Sequence, residues 1–159
     1  MRTLNIVRTR DDRDVPVAGV YTVDAAHTSV EFVGRHLMIT KVRGRFPDVS
    51  GTITIADEPE QSHVEVEIGV ASIDTGNSDR DNHLRSADFF DVERHPTISF
   101  RSTAVKALRE NTWEVVGDLT VRDTTRPAVS SSKLVTGTDA LIPSWYAGSR
   151  LKALAPAMK

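Results

Sequence analysis

The most informative absences in this sequence concern cysteine, long apolar runs and known catalytic motifs. None of the 159 residues is cysteine, which excludes disulfides, thiolate metal sites and cysteine nucleophiles. No apolar run approaches the roughly 20 residues of a membrane-spanning helix, and no GxSxG, GxGxxG, P-loop or HExxH motif occurs. The formal net charge of -2 gives no general attraction to nucleic acid. We therefore expect a cytoplasmic protein without metal, cofactor, nucleic-acid partner or membrane span.

The chain length suits one domain with a hydrophobic core of its own. Residues 1–19 mix arginine with aspartate and offer little to bury, so we expect a flexible N-terminal arm there. The central domain is expected over residues 20–136. Residues 137–159 are expected to form an atypical C-terminal tail, because the apolar alternation fades after Val135.

Apolar and polar residues alternate along most of the central domain. The segment HVEVEIGV, residues 63–70, places Val64, Val66, Ile68 and Val70 on one face. Similar alternation in TSVEFVGRH, TISFRS and TWEVVGDLTVRD predicts further half-buried strands. Many short strands separated by turns predict an all-β antiparallel sandwich or barrel. Composition leaves two interpretations of the apolar faces, a packed core or a cavity; a barrel of about eight strands encloses one slender ligand.

The segment SIDTGNSDRDNHLRSADFFDVERHP, residues 72–96, interrupts this alternation. Asn77 and Ser78 are candidate caps for a helix through DRDNHLRSADFF, and Ser78 with Asp81 resembles a capping box. The carboxylates and arginines of the segment have two interpretations. They form catalytic acid–base pairs, or they belong to a salt-bridged, capped helix that fixes a long loop on the sheet. Long loops in compact domains often serve as lids.

The five histidines are scattered along the chain without HxH spacing. A metal site would need three of them to converge in space. Histidines at the surface or in ordinary hydrogen bonds are the simpler interpretation.

Three blocks follow one another along the chain: DAAHTSVEFVGRHLMITKVRGRF at residues 24–46, SIDTGNSDRDNHLRSADFFDVERHPTISFRS at 72–102, and GDLTVRDTTRP at 117–127. Together they resemble the signature blocks of the YceI-like, polyisoprenoid-binding family. The resemblance implies an antiparallel, lipocalin-like β-barrel with one helix-bearing loop. It also implies a carrier or storage protein, not an enzyme, that holds an isoprenoid quinone or a related amphiphile in its lumen.

The same resemblance implies which residues meet the ligand. The stretch from Asp74 to Pro96 would be a lid that turns Phe89 and Phe90 to the lipid, with a polar head group held near the mouth of the barrel. The predicted ligand-binding residues are Phe32, His36, Met38, Phe46, Val66, Ile68, Ile73, His83, Leu84, Arg85, Phe89, Phe90, Phe100, Trp113 and Val115. His36, His83 and Arg85 are the candidates for the head group.

The C-terminus departs from the family pattern. The resemblance implies a further pair of strands that closes the barrel, whereas ALIPSWYAGSRLKALAPAMK is unlike a strand pair. We therefore expect the C-terminal strands to be missing, which leaves closure of the barrel undecided. An open barrel would leave unpaired strand edges that invite pairing with another chain, so we expect either self-association, as a homodimer or by strand exchange, or poor stability. Two alternatives to a carrier stay open: a lipid-acting enzyme that uses aspartate and histidine residues of the lid, and a stress-related structural module with a packed core.

Overall fold

The structure is a computed structural model that describes residues 7–26, 28, 30–36, 40–108, 112–133 and 150–152, with side chains for most of them. The strands are β1 (Val7–Arg10), β2 (Arg13–Pro16), β3 (Gly19–Thr22), β4 (Val30–His36), β5 (Thr40–Phe46), β6 (Val49–Ile55), β7 (His63–Gly69), β8 (Thr97–Ala107), β9 (Thr112–Val121), β10 (Thr124–Lys133) and β11 (Arg150–Lys152). The described residues also contain one α-helix, α1 (Ser78–Arg85), and two single 3-10 turns, Pro59–Gln61 and Val70–Ser72.

Seven strands form one antiparallel sheet in the order β11-β10-β9-β8-β7-β6-β3. From β6 to β10 each strand pairs with the next along the chain, whereas β3 joins the edge by pairing with β6. The strands β4 and β5 form a separate hairpin, and so do β1 and β2. The predicted all-β antiparallel fold with one helix-bearing loop is therefore confirmed. Over the described residues the sheet does not close into a barrel.

The inward positions predicted by alternation lie on one face of the central strands. Val66 pairs with Phe100 across β7 and β8, and Ile68 pairs with Ile98. Gly117 on β9 makes room for the Phe100 ring, because a Cβ atom at residue 117 would lie 2.6 Å from that ring. The period-2 pattern and one glycine thus build a continuous apolar surface across the middle of the sheet.

Two clusters of buried side chains contain the residues of this surface together with those that pack on it. The hairpin cluster comprises Val15, Phe100, Val105, Trp113, Val115 and Ala128. The lid cluster comprises Phe46, Val49, Ile68, Val70, Ile73 and Ile98. Val66 and Leu119 pack against both clusters, so the two form one apolar layer along the sheet.

The N-terminal segment differs from the flexible arm expected over residues 1–19. Residues 7–16 form the β1–β2 hairpin, whose turn contains Asp11 and Asp12 with φ angles of 48° and 58°. Aspartate tolerates this left-handed conformation better than most residues. Val15 is only 1% exposed and belongs to the hairpin cluster. The short stretch VPV at residues 15–17 follows a run of charged residues and gave too weak a sequence signal, yet Val15 anchors the segment.

Polar contacts hold the β1–β2 hairpin to the loop after β6. The Arg8 guanidinium donates to the backbone carbonyls of Ala56 and Asp57 at 2.7 and 2.8 Å. The Arg10 guanidinium forms a salt bridge with Glu58. The arginines that suggested a solvated arm therefore fasten the hairpin.

The C-terminal tail contributes one short strand to the sheet. Residues 150–152 form β11, which pairs with β10 in the register Val129 to Lys152 and also lies beside β4. The sequence predicted that C-terminal strands are missing, and three residues of the tail nevertheless pair as a strand. The predicted boundary between residues 136 and 137 lies outside the described residues.

We predict that Val15→Ala lowers the free energy of unfolding by about 2 kcal/mol, because two buried methyl groups are removed and a small cavity remains. Urea unfolding with an unchanged m-value would measure this loss. Val33→Ala, at a side chain that is 57% exposed on β4, is the matched control and should change stability by less than about 0.5 kcal/mol. An equally small effect of Val15→Ala would show that the hairpin does not dock.

We also predict self-association through the open edge of the sheet. Val20 on the edge strand β3 is 72% exposed, and exposed apolar edge strands favour pairing with another chain. Light scattering should give a mass above that of the monomer that rises with protein concentration. Val20→Lys should lower it, because charged residues oppose edge pairing. A cooperative, monodisperse monomer at every concentration would contradict the expectation.

Candidate functional site

Residues 74–96 form the lid segment, which contains helix α1 (Ser78–Arg85). The Asn77 side chain caps this helix by accepting from the backbone N–H of Arg80 at 2.9 Å. The helix ends at Arg85, because the backbone N–H and the hydroxyl of Ser86 both donate to the carbonyl of His83, at 3.1 and 2.6 Å. The predicted helix, which ran on through residue 90, was therefore too long.

Asp81 has a different role from the predicted capping box with Ser78. Its carboxylate is buried and accepts from the backbone N–H and the hydroxyl of Thr75, at 2.9 and 2.6 Å. The Arg80 guanidinium donates to the same Thr75 hydroxyl at 2.7 Å and to the Thr75 carbonyl at 2.8 Å. These contacts tie the first turn of α1 to the chain that enters the lid segment.

The lid segment is joined to the β4–β5 hairpin at Arg45 and Asp74. The two residues exchange backbone hydrogen bonds at 2.9 Å in an isolated antiparallel bridge. The Arg45 guanidinium also donates to Asp74 Oδ2 at 3.0 and 3.1 Å. The backbone N–H of Gly76 and the Arg45 side chain both donate to the Asp74 carboxylate, and together they lower its pKa below the ordinary value.

Arg85 holds helix α1 to the 3-10 turn that follows β7 and to the residue after that turn. Its guanidinium donates to the carbonyls of Ala71 and Ile73, at 2.9 and 3.0 Å, and to the Asn82 side chain at 3.0 Å. This predicted head-group residue therefore binds backbone carbonyls in the described structure.

The second half of the lid segment is fastened to the turn between β9 and β10. Arg122 donates to the carbonyl of Phe89 at 2.9 Å, and its guanidinium lies 3.9 Å from the buried carboxylate of Asp91. His95 Nε2 lies 3.7 Å from the carboxylate of Asp123 in the same turn. Of the two interpretations of the charged residues, these contacts match a capped and salt-bridged loop that is fixed on the sheet.

The underside of the lid segment is apolar and packs on the lid cluster. The Phe90 ring meets Phe46 edge to face, with 5.8 Å between ring centres, and Leu84 and Val92 pack beside it. Phe46 also meets Phe32 at 5.2 Å. Phe46 therefore provides an apolar contact between the lid segment and the β4–β5 hairpin, beside the polar Arg45–Asp74 bridge.

The β4–β5 hairpin accommodates the Phe32 ring because its cross-strand partner is glycine. Gly44 pairs with Phe32, and a Cβ atom at residue 44 would collide with that ring. The ring can therefore lie across the hairpin and reach Phe46.

The structure brings many, but not all, of the predicted ligand-binding residues together. In the lid cluster or packed against it lie Phe32, Phe46, Val66, Ile68, Ile73, Leu84 and Phe90. In the hairpin cluster lie Phe100, Trp113 and Val115. The side chain of His36 and the whole of Met38 lie outside the described residues.

Phe89 and His83 lie together, away from both clusters. Their rings meet edge to face at 4.8 Å, and the His83 side chain is 61% exposed and 3.5 Å from Asp88. We predicted that both Phe89 and Phe90 turn to the ligand. In the structure the two side chains point in different directions, as neighbouring residues in a turn do. Sequence reasoning also missed Val15, Val49, Val105 and Ala128 as core residues, because only strand pairing reveals where short or isolated apolar residues point.

Among the described residues, the apolar layer contains a cavity of about 30 Å³, which is much smaller than a long isoprenoid. It lies in the hairpin cluster and is lined by Val15, Pro16, Ile53, Ile55, Pro59, Ser62, Val64, Val105, Trp113 and Val115. Over the described residues, the side chains of the lid cluster instead pack against one another beneath α1. The described interior is therefore filled mainly by protein side chains.

The described residues contain neither a metal-binding cluster nor a membrane-spanning helix. No group of three or more histidine, aspartate and glutamate side chains in this part of the chain is placed to hold a metal. Within the same residues, no helix has the length and apolar character needed to cross a bilayer.

We predict that Asp74→Asn weakens the junction between the lid segment and the β4–β5 hairpin. The pKa of Asp74 is lower in the folded state, so its stabilisation is complete above the unfolded pKa of about 4 and is lost as the pH falls through the lower folded pKa. Denaturant unfolding should therefore show a lower free energy of unfolding for Asp74→Asn at pH 6, and a difference that shrinks below about pH 4.

Asp118→Asn, on the exposed face of β9, is the control and should change stability little at either pH. A constant difference between Asp74→Asn and the natural protein from pH 6 to pH 3 would contradict the assignment.

Known proteins with similar sequences and structures agree with the antiparallel fold described above. A family model described as the YceI-like domain matches residues 21–151. The chain is 39% identical over 122 residues to a UPF0312 protein of Ectopseudomonas mendocina, and 36% identical over 122 residues to one of Azotobacter vinelandii. In both cases the match covers 75% of this chain and 64% of the relative. The chain thus spans a little under two thirds of the length of these relatives.

Two solved structures share the fold. The Campylobacter jejuni YCEI protein is 32% identical with a TM-score of 0.56, and the match covers 75% of this chain and 72% of that protein. Burkholderia cenocepacia BcnA has a TM-score of 0.64 at 23% identity, with 72% of each chain covered. The family model spans most of the chain, from within β3 to within β11, and it includes the lid segment. This protein belongs to the YceI-like family.

Proposed function

We propose that this protein binds a long-chain isoprenoid, an isoprenoid quinone or a related amphiphile, and carries or stores it between the sheet and the lid segment. The observation that carries the proposal is the continuous apolar layer on the central strands, covered by a lid segment that polar contacts fasten at its edges. Membership of the YceI-like family and the shared fold favour a binding protein.

The hydrophobic effect supplies the driving force for such binding. Burial of one methylene contributes about 0.8 kcal/mol, so one five-carbon isoprene unit contributes about 4 kcal/mol before losses. Ordering the chain and rearranging the protein remove much of this gain. Affinity should therefore depend on the length and girth of the chain more than on polar detail.

A long ligand needs room that the described interior does not offer, so the protein must open. The boundary between the β4–β5 hairpin and the lid segment is the best candidate for the opening. β5 is followed directly by β6 in the chain, yet the two strands lie in different sheets. The hairpin meets the lid segment through the Arg45–Asp74 bridge and the Phe46–Phe90 contact. The lipid chain would replace the contacts of Phe90 and Leu84 with the core.

The polar head group would remain near the lid segment. His36, His83 and Arg85 stay our candidates for it, and Met38 and Phe89 stay candidates for contact with the first carbons of the chain. Arg85 would exchange a backbone carbonyl for a head-group oxygen, which keeps its charge hydrogen-bonded throughout.

A structural module with a packed core is the second candidate function. The filled interior favours it, because a protein that needs no ligand also needs no cavity. We do not propose an enzyme that uses the lid, because Asp74 and Asp81 hold arginine and threonine groups of the protein itself. We further propose that the protein acts in the cytoplasm, without a metal or cofactor.

The first experiment measures binding of geraniol, farnesol and geranylgeraniol, which contain two, three and four isoprene units. Affinity should rise about tenfold or more with each added unit, because each buries further apolar surface. Organic extraction of gently purified protein, followed by mass spectrometry, should recover an isoprenoid. Absence of binding for all three alcohols, with no lipid recovered, would favour the structural module.

The second experiment locks the proposed opening with Arg45→Cys and Asp74→Cys. The two residues form a hydrogen-bonded antiparallel pair, in which the Cα atoms lie about 5.5 Å apart, and this separation suits a disulfide. The chain has no other cysteine. The oxidised form should bind geranylgeraniol at least about tenfold more weakly than the same protein after reduction, because the ligand must separate the two elements.

The matched control pairs Arg45→Cys with Glu31→Cys, its cross-strand partner on β4, so that the disulfide lies within the hairpin. Oxidation of this control should leave binding unchanged. If the oxidised and reduced forms of the Arg45→Cys, Asp74→Cys variant bound geranylgeraniol equally well, the ligand would have to enter elsewhere.

A further inference from the structure

Basic residues are concentrated on the β4–β5 hairpin. Residues 30–46 contain four arginine or lysine residues and one glutamate, whereas the formal net charge of the whole chain is -2. The hairpin register pairs Arg35 with Lys41 and Val33 with Arg43. Because alternate residues of a strand share a face, these four positions lie on one face of the hairpin, which we call the basic face. The side chains of Lys41 and Arg43 are exposed, and Val33 is 57% exposed.

The strand β11 brings further basic residues to the same hairpin. It lies beside β4, although the two strands are far apart in the chain, and two of its three residues, Arg150 and Lys152, are basic. Arg35 and Lys41 are directly opposite each other across the hairpin, and like charges in that relation destabilise a sheet. Contact with an anionic surface would offset this repulsion.

The basic residues of β8, in the main sheet, have a different environment. Arg101 lies 3.9 Å from the carboxylate of Glu65, and Lys106 is the cross-strand partner of Glu114. Both basic side chains are exposed, and each has an acidic neighbour. The exposed side of β8 therefore balances its charges with residues of the protein itself.

The β4–β5 hairpin has this balance only at the end beside the lid segment. There Arg45 forms a salt bridge with Asp74 at 3.0 Å and is the cross-strand partner of Glu31. Among the residues that the structure describes, neither Lys41 nor Arg43 forms a salt bridge, and their cross-strand partners are Arg35 and Val33. Uncompensated positive charge is therefore confined to the part of the hairpin farther from the lid segment.

We propose that the basic face docks on the surface of a membrane that contains anionic lipids. Lys41 and Arg43 would lie near the lipid phosphates, and Val33 would lie among the head groups. The choice of a membrane as the partner rests on the proposed function, because an isoprenoid cargo is itself a membrane lipid. Arg43 is two residues from Arg45, about 7 Å along β5, so docking brings the proposed opening to the membrane surface.

Electrostatic attraction is the main driving force for this docking. A lysine or arginine near an anionic membrane surface strengthens binding about fivefold, and the effect fades within a Debye length. A single exposed valine adds little apolar burial compared with an amphipathic helix. Docking is therefore reversible and sensitive to salt, which suits a protein that leaves the membrane with its cargo.

The test measures co-sedimentation of the natural protein, without isoprenoid, with two kinds of vesicle. One kind contains phosphatidylcholine alone, and the other contains phosphatidylcholine and phosphatidylglycerol in equal amounts. We expect at least about tenfold tighter binding to the anionic vesicles at about 0.1 M salt. This preference should disappear at about 1 M salt, because the Debye length falls from about 10 Å to about 3 Å.

Lys41→Gln combined with Arg43→Gln should weaken binding to the anionic vesicles at least about tenfold, because two cations are removed from the docking surface. Arg101→Gln combined with Lys106→Gln is the matched control. It changes the net charge equally, also at exposed positions of a strand, and should change binding less than about twofold. The comparison of the two vesicles on the natural protein decides the question even if a variant does not fold.

Three results would overturn the inference: equal binding to both kinds of vesicle, no binding to either, or equal losses in the two double variants. The second result would be expected of a basic face that instead meets an acidic protein. Binding of geranylgeraniol in the absence of vesicles should be the same for the natural protein and the variant at residues 41 and 43. Isoprenoid binding and membrane docking can therefore fail separately.

Discussion

The apolar face shared by the central strands is the constraint on which the rest of the structure depends. Alternation along β7, β8 and β9 places side chains such as Val66, Phe100 and Leu119 on one side of the sheet. In an open sheet this face must be covered, because its exposure to water would cost far more than a small domain can tolerate. Three elements cover it: the β1–β2 hairpin, the β4–β5 hairpin and the lid segment.

Charged side chains fasten these covers, while apolar side chains make them necessary. Arg8 and Arg10 hold the first hairpin, Arg45 joins the second hairpin to the lid segment, and Arg122 holds the far end of the lid segment. Such exposed contacts each contribute little to stability, so they can separate at modest cost. A cover that packs closely and separates at a small cost in free energy suits a protein that admits and releases a hydrophobic chain.

The sequence predicted features that follow from local periodicity, and it failed where spatial pairing decides. Ile68 and Phe100 were predictable because strand alternation puts both on the buried face, and the family resemblance located the lid segment. Val15 was not predictable, because a short apolar stretch gains its burial only when a distant sheet offers a hydrophobic partner. Phe89 and Phe90 are adjacent and chemically identical, and only the turn after Ser86 sends one to His83 and the other to Phe46. Nor did any local signal reveal that the interior formed by the described residues is filled mainly by side chains.

The central claim is that the β4–β5 hairpin and the lid segment separate when a chain-like lipid enters. The distance between spin labels on cysteines introduced at Arg43 and Asp79, both exposed, tests it directly, and the natural chain has no cysteine to compete for the label. The account predicts that saturation with geranylgeraniol shifts the distance distribution to longer values. An unchanged distribution in protein shown to hold the lipid would contradict it.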